Sequence, residues 1–145
     1  MTRLRTPGAR ILFAVLLALW CGAVFTLSSK SDPEEYVGVR VRLPDKVEHG
    51  IEYAAGGFLA AGAFGALRDR RPLVAAVVFC GLWGASDEWH QSFVPGRDCS
   101  AADLAADVVG GTLGGAAFLL LSGRAQAPRA AVDESDERME ARRRP

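Results

Sequence analysis

Apolar residues along this chain are gathered into four blocks, not spread at the spacing of an amphipathic helix in a soluble domain. The first, Ile11 to Leu27, follows Arg3, Arg5 and Arg10 and makes about 26 Å of helix at ~1.5 Å per residue. That is slightly short of a hydrocarbon core of ~30 Å, but Arg10 snorkels at one end and Thr26 to Ser29 lie at the interface at the other. The third block, Leu73 to Ala85, is shorter still, about 20 Å. To span, its helix must continue through Asp87 and Glu88 to about Val94. The pattern predicts an all-α integral membrane four-helix bundle with spans at about 11–28, 47–67, 73–94 and 104–121. Residues 1–122 form one membrane domain, and 123–145 a disordered charged tail, with a frayed helix near Met139.

The punctuation between blocks agrees with this. Asp32-Pro33-Glu34-Glu35 reads as the start of a short surface helix in the first loop. Arg68-Asp69-Arg70-Arg71-Pro72 is a tight basic turn, and Pro95-Gly96 a second turn. Gly57, Ala61 and Gly65, Gly56 and Ala60, and the pairs among Gly110, Gly111, Gly114 and Gly115 are four apart, which gives surfaces where helices approach closely. A four-helix chain needs such surfaces internally, more than for dimerisation.

Half the residues are apolar, yet mean hydropathy is only +0.13 because charged loops and ends dilute the blocks. Formal net charge is zero, with 17 basic and 17 acidic residues, and no basic-aromatic interleaving points to nucleic acid. The distribution of charge is more informative. Arginines cluster before the first block, between the second and third, and in the tail, which four spans place on one side. By the positive-inside tendency that side is the cytoplasm, so both termini are expected there, in a multi-pass protein of the cell membrane. The charged front and apolar centre of the first block also suit a signal peptide, but no small-x-small cleavage site follows, so an uncleaved anchor is expected. Cys21, Cys80 and Cys99 make no disulfide framework and read as packing or loop residues.

With that topology the outer ends of spans two, three and four all carry ionisable residues. Asp45, Lys46, Glu48, His49 and Glu52 open the second. Asp87, Glu88, His90 and Gln91 close the third. Arg97, Asp103 and Asp107 surround the start of the fourth. Ionisable groups at membrane depth face protein or a water-filled cavity, and are a functional-site hypothesis by default. Asp45, His49 and Glu52 share one helix face, as do Asp103 and Asp107.

Simpler roles compete. Asp45 with Glu48, and Ser100 with Asp103, each fit a capping box. Asp103 with Arg97, and Lys46 with Asp87 or Glu88, fit structural ion pairs. His90 fits an interfacial belt with Trp89 and Phe93. His49, Glu52, Asp87, Glu88 and Asp107 offer imidazole and carboxylate to Zn, Mn or Mg, but Glu48-His49 followed by Glu52 is not the His-Glu-x-x-His signature, so no metal and no cofactor are expected.

The residues Asp45-Lys46-x-x-His49, then Gly81-x-x-x-Ala85-Ser86-Asp87-Glu88-Trp89-His90-Gln91-Ser92-Phe93-Val94-Pro95-Gly96-Arg97, then Asp103-x-x-x-Asp107-x-x-Gly110, resemble the VanZ-like family of small multi-pass membrane proteins. The resemblance covers about Ile11 to Leu121. It implies a four-span helical protein of the cell envelope, in a family named for a member associated with low-level resistance to the glycopeptide teicoplanin. The family positions it carries over are Asp45, Lys46, His49, Asp87, Glu88, Gln91, Pro95, Arg97, Asp103 and Asp107.

Three functions follow as expectations. The first is a binding protein whose outward polar pocket, formed by Asp45, Lys46, His49, Glu52, Asp87, Glu88, Gln91, Arg97, Asp103 and Asp107, takes a lipid headgroup or a lipoglycopeptide, with the bilayer as its other partner. The second is an enzyme acting on a lipid-linked phosphate, with Asp87, Glu88 or His49 as candidate catalytic groups and Arg97 and Lys46 on the phosphate. Ser86 and Ser92 lack a base partner, which ranks the enzyme below the binding protein. Proton or ion passage ranks last, because the inner halves of the spans are Ala, Val, Leu and Gly.

Overall fold

A computed structural model describes residues 6–31, 43–65 and 71–124. The expected surface helix at Asp32, most of the turn around Arg68, and the tail after Arg124 with its Met139 segment lie outside the described residues. Four helices are present, α1 (Pro7–Ser28), α2 (Asp45–Phe64), α3 (Arg71–Gln91) and α4 (Ala101–Arg124), and no strand occurs among the described residues.

Local chemistry explains most of the boundaries. Thr6 caps α1 by accepting from the Ala9 amide at 3.2 Å, and Pro7 occupies the first helical position, where a missing N–H costs nothing. The α4 start is capped by Ser100, whose Oγ accepts from the Asp103 amide at 3.4 Å. After α3 the chain turns at Val94-Pro95-Gly96-Arg97, with the Arg97 amide donating to the Val94 carbonyl at 3.1 Å. Pro in the second position and Gly96 at φ +82° in the third are what a type II turn requires.

Two expected boundaries are corrected. Helix α2 ends at Phe64 and α3 at Gln91, three residues before the expected span limits at Leu67 and Val94, the latter because the turn of residues 92–97 begins there; at 20 and 21 residues both are still about 30 Å long at ~1.5 Å per residue. α4 runs on to Arg124, two residues past the expected domain limit.

The helices alternate in direction. The ends of α1 and α3 share one end of the bundle with the starts of α2 and α4, as contacts of Ser29 with His90, His49 with Asp107 and Glu88 with Ser100 show. α4 packs most extensively on α2 and also on α3, while α1 lies mainly on α2 and touches α3 only lightly.

The four-spaced glycines make the tightest of these contacts. A Cβ on Gly57 would meet the backbone of Gly111, one on Gly110 the Gly50 carbonyl, and one on Gly114 the Ala54 carbonyl. Gly56 and Gly62 instead seat the rings of Trp20 and Phe13 from α1. The small-residue surfaces are therefore used within the chain. Away from the polar end, Phe13, Phe58 and Phe118 pack edge to face at centroid distances of 5.5 to 6.1 Å, over buried Ala61 and Ala76.

The outer faces are apolar. Ile11, Leu19, Leu82, Trp89 and Leu113 are each more than 60 % exposed, while His49, Asp87, Glu88, Gln91, Asp103 and Asp107 are buried. α1, at a mean hydropathy of 2.4, and α4 through Ser122, at 1.8, are long and apolar enough to cross a membrane. By that measure α2 and α3 are not. Asp45, Lys46, Glu48 and Glu52 fall in the first eight residues of α2, and Asp87 and Glu88 in the last turn and a half of α3.

Candidate functional site

Six groups from three helices converge below the open end of the bundle. At the centre is His49, whose Nδ1 lies 2.9 Å from Asp107 Oδ1. Asp107 is fully buried, and its second oxygen, Oδ2, has no hydrogen-bond partner. Gly84 makes this placement sterically feasible, since a Cβ there would come within 2.6 Å of Asp107 Oδ2. On the other side of His49 the Tyr53 ring lies nearly parallel at 6.5 Å, and Trp20 stands edge-on to Tyr53 at 5.3 Å.

α3 delivers the remaining acids from its last turns. Asp87 Oδ2 accepts from Gln91 Nε2 at 2.8 Å, an i, i+4 contact on the buried face of the helix. Glu88 Oε2 accepts from the Ser100 amide at 2.5 Å, so α3 itself ties down the chain just before α4. Glu88 Oε1 is left buried without a hydrogen-bond partner. Lys46 Nζ approaches Asp103 Oδ1 to 2.6 Å, a charge contact more than a directed hydrogen bond, with the lysine side chain about half exposed.

Two adjoining cavities open on this cluster. One, of about 150 Å³, has an apolar wall from Val24 and Leu27 of α1 and polar walls from Glu48, Glu52, Asp87 and Arg97. The other, of about 370 Å³, is lined by Lys46, Ser100, Asp103 and Asp98 among others. His49, Gln91 and Arg97 line both. Among the described residues the Arg97 guanidinium makes no ion pair, so it stands as a cation available to an incoming anion. Beside them, the exposed Cys99 thiol is pushed above its ordinary value by local desolvation and by the nearby Glu88 carboxylate, which makes it a poor nucleophile at neutral pH.

The sequence expectations divide against this geometry. Lys46, His49, Glu52, Asp87, Glu88, Gln91, Arg97, Asp103 and Asp107 come together at one end of the bundle. Asp45 opens α2, but its side chain lies outside the described residues. Pro44, rather than Asp45, is the residue that caps α2, with no side-chain cap bond, and Glu48 lines the smaller cavity; the Asp45 half of the expected capping box lies outside the described residues. Of the second box, only the serine half is seen, because the Asp103 carboxylate turns to Lys46. The pairs expected between Lys46 and Asp87 or Glu88, and between Asp103 and Arg97, are replaced by that same Lys46–Asp103 pair. Lys46 and Asp103 both stand at the start of their helices, and α2 and α4 are the most extensively packed pair.

The α1 contribution was missed altogether. Ser28 lines the smaller cavity, and Ser29 Oγ meets His90 Nε2 at 2.9 Å while Phe25 lies against the same imidazole. The signal was present in the alternating order of the helices, which brings the polar Thr26 to Ser29 end of α1 to this end. His90 thus turns towards α1, while Trp89 and Phe93 remain exposed and pack on each other edge to face.

Comparison with protein-family models, with curated proteins and with solved structures gave no match.

Proposed function

We propose that this chain is a multi-pass membrane protein of the cell envelope, with VanZ-like character, whose polar end binds the headgroup of an amphiphile. Support for the membrane setting comes from the reversed distribution of side chains, with large apolar groups exposed on all four helices and acids and imidazole buried between them. α2 and α3 carry such groups too, among them Val47, Ile51, Val74, Val78 and Leu82, so all four helices are spans on this reading. The arginines that precede α1, lie between α2 and α3 and follow α4 in the sequence support, by the positive-inside tendency, cytoplasmic termini and polar cavities on the outer side.

The observation that carries the binding function is the smaller cavity. Val24 and Leu27 offer an apolar wall to an acyl or alkyl stem, while Glu48, Glu52 and Asp87 face Arg97 across a space of about 150 Å³. Acids and a guanidinium together suit a group carrying both an amine and a phosphate or carboxylate, as zwitterionic lipid headgroups and lipoglycopeptides do. Native mass spectrometry and titration calorimetry of the detergent-purified chain are expected to show retention of such a lipid or of teicoplanin, weakened by Arg97→Gln and by Val24→Asp. Binding of neither class, or binding indifferent to both substitutions, rejects the reading. Reduced teicoplanin susceptibility on expression in a sensitive host tests the family connection separately.

One feature favours an enzyme as the second reading. An imidazole oriented by a buried carboxylate, as His49 is by Asp107, is the arrangement of a general acid–base group. It is better set for that role than Asp87 or Glu88, each of which has one oxygen engaged, by Gln91 and by the Ser100 amide, and no imidazole partner of its own among the described contacts. Lipid-linked phosphates incubated with the wild type and with His49→Gln should give different products if catalysis occurs, and identical ones if the site only binds.

A further inference from the structure

The structure brings three side chains into an arrangement that no sequence spacing announced. One donor atom each from His49, Glu88 and Asp103 lie within 4.8 Å of one another, and all three residues are buried. They come from three different helices, at positions 39 and 15 residues apart in the chain. We propose that His49, Glu88 and Asp103 hold one divalent transition-metal ion, of the Zn2+ and Mn2+ class.

Four observations support it. Glu88 is only 4 % exposed, and with Oε2 fixed by the Ser100 amide, its Oε1 is buried with no hydrogen-bond partner. A buried carboxylate oxygen left unpaired is costly unless a cation or donor satisfies it. Second, Asp107 holds His49 through Nδ1 at 2.9 Å, the carboxylate–imidazole support that fixes the ring and raises its basicity in metal sites. Third, the surroundings carry an excess of acid. Asp87, Glu88, Asp103, Asp107 and Glu52 face Lys46 and Arg97 alone as permanent cations among the described residues. Fourth, the larger cavity, lined by His49 and Asp103, supplies access and room for a water or ligand oxygen in a fourth position.

One imidazole nitrogen with two carboxylates selects among cations. Mg2+ and Ca2+ prefer all-oxygen sites, whereas the mixed set suits Zn2+, Mn2+ or Co2+. Lys46 competes for the site, since its ammonium lies against Asp103 Oδ1. Its half-exposed stem lets it swing into solvent as the metal arrives. The site stands whatever amphiphile the neighbouring cavity takes.

The test uses the full-length chain in detergent, stripped with a chelator and titrated with Zn2+, Co2+ and Mg2+. Zn2+ is expected to bind at one equivalent, Co2+ to give visible absorption bands that Zn2+ abolishes, and Mg2+ to bind far more weakly. Glu88→Gln and Asp103→Asn should weaken Zn2+ by at least about tenfold, and Asp107→Asn by a similar factor through His49. Lys46→Gln should tighten binding several-fold, by roughly the loss of one nearby competing charge. That substitution sits on a half-exposed side chain, so it stays informative even where changes to the buried acids prevent folding. Wild type without stoichiometric Zn2+ overturns the proposal. So does Zn2+ binding that Glu88→Gln and Asp103→Asn leave intact, or binding that Lys46→Gln weakens.

Discussion

The two ends of this bundle are built from the same four helices on opposite principles. At the closed end, α2 and α4 meet glycine against backbone, and Phe13, Phe58 and Phe118 fill the space over alanines. The side chains that fill it are apolar apart from Arg10, which reaches the Ala63 carbonyl, and buried Ser122, which donates to the Leu119 carbonyl, so shape largely decides the fit. At the open end His49, Asp87, Glu88, Asp103 and Asp107 are buried around two cavities, with oxygens of Glu88 and Asp107 unpaired. A chain selected only for folding would continue the glycine and phenylalanine packing to both ends. That contrast supports the proposed division, with the closed end serving stability and the open end ligand binding.

The largest effect should come from the closed end. Phe118→Ala removes a ring with no exposed surface from the aromatic triad, and is expected to cost roughly 3–5 kcal/mol, read as a lowered thermal midpoint in detergent. Gly114→Val places a branched side chain against the Ala54 carbonyl, where neither backbone has room to yield, and should cost about 3 kcal/mol. Gly22→Ala, which meets nothing within 4 Å, should instead be neutral or stabilise by up to ~1 kcal/mol through helix propensity. Equal melting of the two glycine variants would remove the claim that these glycines serve packing.

The open end should respond differently to single and paired changes. Asp107→Leu alone strands His49 and is expected to destabilise by about 3 kcal/mol or more, while His49→Leu with Asp107→Leu should restore most of that loss. Smaller still, Asp87→Asn and Glu88→Gln should melt within about 1 kcal/mol of wild type or later, since each removes charge from a crowded acidic cluster. Clear early melting of both would make the open end a structural network and erase its contrast with the closed end. The smallest effect concerns Cys99. With its thiol held above the usual value, alkylation in chelator should be slow at neutral pH and rise with alkalinity. Glu88→Gln, which removes the neighbouring negative charge, should move that rise to lower pH. An unshifted profile would place Glu88 too far away to matter.

Much of the fold was legible in the order of residues. Four apolar blocks gave four helices among the described residues, with the third ending three residues before its expected limit because the turn at Pro95-Gly96 follows. The four-spaced glycines marked contacts between helices because a missing Cβ is a local property that only close approach can use. That acids and imidazole would gather at one end was also legible, since alternating helix direction and their positions near helix ends leave them no other place.

Which of those groups would touch was settled only by the tertiary structure. Helix rotation and the tight α2–α4 contact send Lys46 to Asp103 and His49 to Asp107, and leave Arg97 facing a cavity. The reach of Glu88 to Ser100 depends on the loop geometry set by Gly96, and the space for Asp107 on Gly84 lying across from it. Periodicity along a chain fixes which face of a helix a residue occupies. Distances of 2 to 3 Å between side chains depend on how those faces are set against each other, and that is decided by packing among residues far apart in sequence.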